Sequence, residues 1–125
     1  MNRSLSTEKA PAAIGPYSQG VCCGQTVFLS GQLGLDPVFG NLAQGVQEQA
    51  RQALANIKVL LESVGFALGD VVKTTVFLKN LDDFAAMNTV YAETFEAPYP
   101  ARSTVEVARL PKDALVEIDV VAVKS

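Results

Sequence analysis

Apolar residues recur at three- and four-residue steps through Val46, Ala50, Ala53, Leu54, Ile57, Leu61 and Val64. Glu48, Arg51, Lys58 and Glu62 fall mostly off that line. The period lays one apolar stripe along a helix, and it predicts a helix over residues 42–64 with Gly65 as its stop. A second stripe runs through Phe84, Met87, Asn88, Tyr91 and Phe95. It predicts a helix capped by Asp82 or Asp83 that ends near Phe95. Asn88 is the odd member, an amide on an apolar face. Its spacing leaves two readings open: it ties the helix to a neighbouring backbone, or it faces a polar site.

β-Branched and aromatic runs predict the strands. Val21-Cys22-Cys23 and Thr26-Val27-Phe28-Leu29-Ser30 are joined by Gly24-Gln25, which fits a two-residue type II′ hairpin with glycine first. Ser30-Gly31-Gln32 closes the second run. Gly31 there lets a ligand approach the backbone or merely marks a bulge. Residues 33–41, with Gly34, Asp36-Pro37 and Gly40, read as a loop. Residues 71–78 form a clear strand. A turn at 96–100 precedes a strand bearing Arg102, and Leu110-Pro111-Lys112-Asp113 turns the chain into a last strand over 115–123. Residues 1–17 are broken by Pro11, Gly15 and Pro16 and read as irregular. Tyr17, at their end, is an anchored aromatic or a phenol at a pocket mouth.

The order is ββαβαββ, an α+β fold. The right-handed crossover rule puts both helices on one face of a mixed sheet. On the last strand Val116, Ile118, Val120 and Ala122 share one face, while Leu115, Val121 and Val123 share the other with Glu117 and Asp119. Two helices cover only one of these faces. The other asks for a partner, and another copy of the chain is the simplest.

Composition narrows the chemistry. With 125 residues, one domain with a real core is expected. The net charge of −3 and the lack of any basic run argue against nucleic acid as the main partner. No apolar run is long enough to cross a bilayer, and none follows Arg3 as a secretory signal requires, so the cytoplasm is expected. The chain contains no histidine. That excludes Ser-His-Asp and Cys-His constellations and any histidine-based metal site. Cys22 and Cys23 are adjacent, without zinc or redox spacing, and read as small packed residues.

Two charges stand out within residues 98–119, where β-rich runs flank a turn. Arg102 and Glu117 each sit among β-branched neighbours. From the residues alone, both are either solvated strand positions or functional groups. An arginine fork matches a carboxylate bidentately, and a nearby glutamate can move a proton or hold a water.

Several ordered motifs resemble one family. Residues Ala10-Pro11-Ala12-Ala13-Ile14-Gly15-Pro16-Tyr17-Ser18-Gln19-Gly20, then Ser30-Gly31-Gln32, Val72-Lys73-Thr74-Thr75-Val76-Phe77, Pro100-Ala101-Arg102-Ser103, Val105-Glu106-Val107-Ala108 and Leu110-Pro111-Lys112 are similar to the RidA (YjgF-type) enamine/imine deaminases. The resemblance covers nearly the whole chain. It implies a chorismate-mutase-like fold and a homotrimer with sheets packed inward and clefts between subunits. It implies that Arg102 pairs with a substrate carboxylate, that Glu117 positions water and transfers a proton, and that Tyr17 completes the catalytic group. Ser30, Gly31 and Asn88 match substrate-binding positions. Thr104 stands where many members have cysteine, which bears on substrate preference more than on fold. The implied substrates are 2-aminoacrylate, 2-aminocrotonate and their 2-imino tautomers, hydrolysed to 2-oxoacids and ammonia with no metal or organic cofactor. The resemblance leaves other readings open: a non-catalytic trimer that binds small carboxylates as a sensor, a deaminase of pyrimidine or aromatic catabolism, a holdase, or a ribonuclease-like role.

Overall fold

The computed structural model describes residues 2–125. Its strands are β1 (Arg3–Leu5), β2 (Gly20–Cys23), β3 (Thr26–Leu29), β4 (Gln32–Leu33), β5 (Val71–Leu78), β6 (Ala101–Glu106) and β7 (Val116–Val123). Its helices are α1 (Gly45–Glu62) and α2 (Phe84–Thr94). The sheet runs β1-β2-β3-β7-β5-β6, and β4 also pairs with β7. Among the described residues only the β5–β6 pair is parallel, so the sheet is mixed as expected.

β7 is the spine because its alternation is the strictest. Val116, Ile118, Val120 and Ala122 are buried at 1% exposure or less beneath the helices. α1 meets them with Ala50, Ala53, Leu54, Ile57, Leu60 and Leu61, and α2 adds Met87, Val90 and Tyr91 to the same core. Each large side chain so buried contributes about 1.5–3 kcal/mol. The helices lie side by side, clipped by Arg51 Nη2 to Glu93 at 3.1 Å and by Gln47 Nε2 donating to the Ala86 carbonyl at 3.2 Å. The other sheet face is open. Phe28, Val105 and Val123 are 49%, 43% and 39% exposed there.

Four local readings need correction. The N-terminal segment is not wholly irregular: β1 pairs antiparallel with β2 and buries Leu5. One apolar residue in three gives no readable alternation. The loop over 33–41 begins with Leu33 paired to Glu117 in β4. α1 starts at Gly45 rather than 42, because Leu42 bridges Leu35 and the Ala43 N–H donates to the Gly34 carbonyl, so that backbone is already engaged. Neither Asp82 nor Asp83 caps α2 with its side chain; instead Asn80 accepts from the Asp82 N–H and caps the 3₁₀ turn Leu81–Asp83. The α1 stop is as read: Gly65 has φ +81°, and Phe66 and Gly65 donate back to Leu61 and Glu62. The hairpin turn also holds, with Gly24 at φ +58° between paired Cys23 and Thr26.

Candidate active site

The predicted residues fall into two groups on opposite faces of the sheet. β5 separates β6 from β7, so the two β-rich runs do not pair with each other. Arg102 sits beside Thr74, which is fully buried under the helices. Glu117 sits beside Phe77, one residue out of phase and on the open face. Within one chain, therefore, Arg102 and Glu117 do not come together.

The first group lies at the end of the β3–β4 segment. Glu117 leans over Gly31: a Cβ added to Gly31 would stand 2.6 Å from Glu117 Oε1 and 2.7 Å from its Cδ. The close approach that glycine permits here is that of the glutamate side chain. Ser30 is fixed on both sides, its N–H donating to the Gln19 carbonyl at 3.0 Å and its hydroxyl to the Ser18 carbonyl at 2.6 Å. Those bonds carry Tyr17 alongside. The buried Gln19 organises the preceding turn, accepting from the Thr7 N–H at 2.7 Å and donating to the Pro11 carbonyl at 2.8 Å. Tyr17 itself is 55% exposed and borders a groove formed with residues that include Leu5, Ala12, Ala13 and Pro37.

Burial raises the Glu117 carboxyl above the ordinary glutamate range, and the charge of Asp119 two residues on raises it further. Asp119 is also raised by burial, against the hydroxyl of Thr75 and the charge of Lys73. A carboxyl whose affinity for a proton is raised in this way is a candidate general acid or base.

The second group lies between α2 and β6. Asn88, Tyr91, Ala92, Tyr99, Pro100 and Arg102 line a cleft of about 440 Å³. The Arg102 guanidinium lies 4.7 Å from the Tyr91 ring centroid and 5.4 Å from that of Phe84. Among the described residues no carboxylate pairs with it. Asn88 does not tie its helix to neighbouring backbone through its acceptor: Oδ1 is buried without a partner. Its place in the cleft fits the alternative reading. Thr104 shares the Arg102 face of β6, and its Oγ1 is likewise buried and unpartnered. Unsatisfied buried polar atoms are uncommon, and of these two Asn88 Oδ1 shares the cleft with Arg102.

Sequence reasoning passed over Phe84, Tyr91 and Asp119 as chemistry. Phe84 and Tyr91 were legible only as members of an apolar stripe. Their role as a surface for Arg102 depends on β6 running parallel to β5, which no local pattern encodes. Among the described residues, no cluster of histidine, cysteine, aspartate and glutamate could hold a metal ion, and no helix is long and apolar enough to cross a membrane.

Known proteins match this chain over nearly its whole length. The family described as Endoribonuclease L-PSP matches residues 7–124. The 2-iminobutanoate/2-iminopropanoate deaminase of Salmonella typhimurium is 53% identical over 127 aligned positions, covering 99% of each chain. The protein of the same name from Escherichia coli is 50% identical, also covering 99% of each. The crystal structure of Escherichia coli TdcF with bound serine superposes with a TM-score of 0.95 at 48% identity, covering 98% of this chain and 99% of that one. RidA from an Antarctic Psychrobacter gives the same TM-score, identity and coverage. With the motifs, the mixed sheet and these full-length matches in agreement, the chain belongs to the RidA (YjgF) family.

Proposed function

We propose that this protein is an imine deaminase, hydrolysing 2-iminobutanoate, 2-iminopropanoate and their enamine tautomers to 2-oxoacids and ammonia. The observation that carries the reading is the unpaired Arg102 guanidinium on the wall of a small cleft, beside the unpartnered Asn88 carbonyl. That pair matches a small molecule bearing a carboxylate and an N–H group. Relatives that are 50–53% identical are 2-iminobutanoate/2-iminopropanoate deaminases. TdcF with bound serine is a further case of a small amino carboxylate held by this fold.

The two halves of the site lie on opposite faces of the sheet, so a complete site needs two copies. The open face of Phe28, Val105, Val121 and Val123 gives the second copy an apolar surface to cover. A homotrimer with intersubunit clefts joins the Arg102 half of one copy to the Glu117 half of its neighbour. There Arg102 clamps the carboxylate and fixes the imine carbon. Glu117 takes a proton from water as the water oxygen bonds to that carbon, and passes it to the imine nitrogen. The resulting carbinolamine collapses: its hydroxyl proton is relayed by Glu117 to the amine, the C–N bond breaks, ammonia leaves, and the C–O bond becomes the carbonyl of the 2-oxoacid. Tyr17 donates a hydrogen bond or closes the cleft mouth, while Ser30, Gly31 and Thr104 shape its walls. These imines also hydrolyse unaided, so positioning plus one proton-transfer group, worth about 10²–10⁴-fold, is sufficient catalysis. The matching family is described as an endoribonuclease, but this chain has no histidine and a net charge of −3, which makes RNA the less favoured substrate.

The test is a coupled assay in which a pyridoxal-phosphate threonine or serine dehydratase generates the imine in situ. The protein should speed 2-oxoacid appearance, and Arg102→Ala should lose the acceleration. No acceleration by the wild type, or full acceleration by the variant, contradicts the reading.

A further inference from the structure

The Arg102 side chain ends on aromatic surface. Its guanidinium carbon is 4.7 Å from the Tyr91 ring centroid and 5.4 Å from that of Phe84. Arginine has a long side chain with many rotamers, and a clamp with no acid to hold it would sample them. Tyr91 is the nearer of the two surfaces and is itself fixed. It is 5% exposed, its ring packs against Phe95 at 4.7 Å between centroids, and its hydroxyl is 2.8 Å from Thr74 Oγ1. Thr74 is fully buried and is the β5 residue in register with Arg102. The contacts form a closed circuit: from Arg102 to the Tyr91 ring, through the hydroxyl pair to Thr74, and across the strand ladder to Arg102.

The hydroxyl pair is informative because the core does not need it. Phenylalanine against valine would fill similar volume with no polar group to satisfy. What the pair adds is direction: it pins the far end of the ring. Burial also raises the Tyr91 phenol above its ordinary range, despite its hydrogen bond with Thr74 and the charge of Arg102. The ring therefore stays neutral, and the arginine charge remains available to a ligand.

We propose that Tyr91, locked by Thr74, is a positioning residue that holds the Arg102 guanidinium ready for the substrate carboxylate. This rests on the reading of Arg102 as the carboxylate clamp, so the experiment separates the two claims. Titration calorimetry with 2-oxobutanoate, a small 2-oxoacid, is run on the full-length wild type, Tyr91→Phe, Tyr91→Leu, Thr74→Val and Arg102→Ala, with Tm recorded for each. Removing the ring in Tyr91→Leu should weaken Kd about tenfold, the scale of a partly desolvated cation–π contact. Tyr91→Phe should recover most of that loss, leaving it and Thr74→Val each about threefold weaker than wild type. A merely structural Tyr91 would lower Tm and leave the Kd of the folded protein unchanged. Wild-type Kd in both Tyr91→Phe and Thr74→Val, beside lost binding in Arg102→Ala, overturns the lock while the clamp stands. Unchanged Kd in Arg102→Ala overturns both. If Tyr91→Leu does not fold, the two conservative variants decide.

Discussion

Gly31→Ala adds one carbon and is expected to damage the chemistry without damaging the fold. Gly31 is not in the left-handed region, so alanine meets no backbone strain there. The new Cβ would stand 2.6 Å from Glu117 Oε1, 2.7 Å from Cδ and 3.0 Å from Cγ. Ordinary contact begins near 3.4 Å, so the carboxyl must retreat by about 1 Å. The three nearest atoms all belong to one flexible side chain, so the cost in stability should stay below about 1 kcal/mol. Misplacing a catalytic group by about 1 Å costs up to roughly 10²-fold. The dehydratase-coupled assay should therefore show kcat/KM down by about 10–100-fold with Tm within a few degrees of wild type. Gly34→Ala is the contrasting control. Its Cβ would lie 2.5 Å from the Gln49 Cα and carbonyl oxygen, which are helix backbone and cannot swing aside. That variant should lose stability outright. Full activity in Gly31→Ala would refute the argument that Glu117 acts from its place over this glycine.

Other variants probe groups left for the substrate. Glu117→Gln should lower kcat/KM by about 10²–10⁴-fold while raising Tm at neutral pH. The sign follows from linkage: a carboxyl raised in the folded state gives stability that is full below the ordinary glutamate range and is lost as pH rises through the raised folded value. Removing that group should accordingly flatten the fall of Tm with rising pH, and an unchanged profile would contradict the assigned cause. Thr104→Val removes a buried hydroxyl that has no partner, and should raise the urea midpoint by the equivalent of about 1 kcal/mol. If Oγ1 serves the substrate, kcat/KM should fall severalfold in the same variant; unchanged turnover would take Oγ1 out of the site.

The helices were legible from their period, the hairpin from its glycine, and the open face from alternation combined with the crossover rule. Strict alternation over residues 116–123 already implied one face under helices and one awaiting a partner. Sheet order was not legible. Nothing in residues 101–106 says that this strand runs parallel to β5 rather than pairing with β7, and that choice puts Arg102 and Glu117 on opposite faces. Gln49 and Asn56 show the same limit on a smaller scale. They look like surface amides, yet both are buried and tie α1 to the chain around it. Gln49 accepts from the Leu115 N–H at 2.8 Å, and Asn56 donates to the Leu35 carbonyl at 3.0 Å. Motif resemblance named Arg102 and Glu117, but the aromatic support of Arg102 emerges only once α2 is packed across β5 and β6.

The composite site is tested most directly by mixing two inactive proteins. Arg102→Ala keeps the Glu117 half and Glu117→Gln keeps the Arg102 half. Unfolded together in equal amounts and refolded, they exchange subunits at random. In a cyclic oligomer each cleft draws one half from each neighbour, so about one cleft in four is built from two intact halves. The mixture should recover about a quarter of wild-type activity in the coupled assay. A mixture that refolds and assembles but remains as inactive as its components would contradict it.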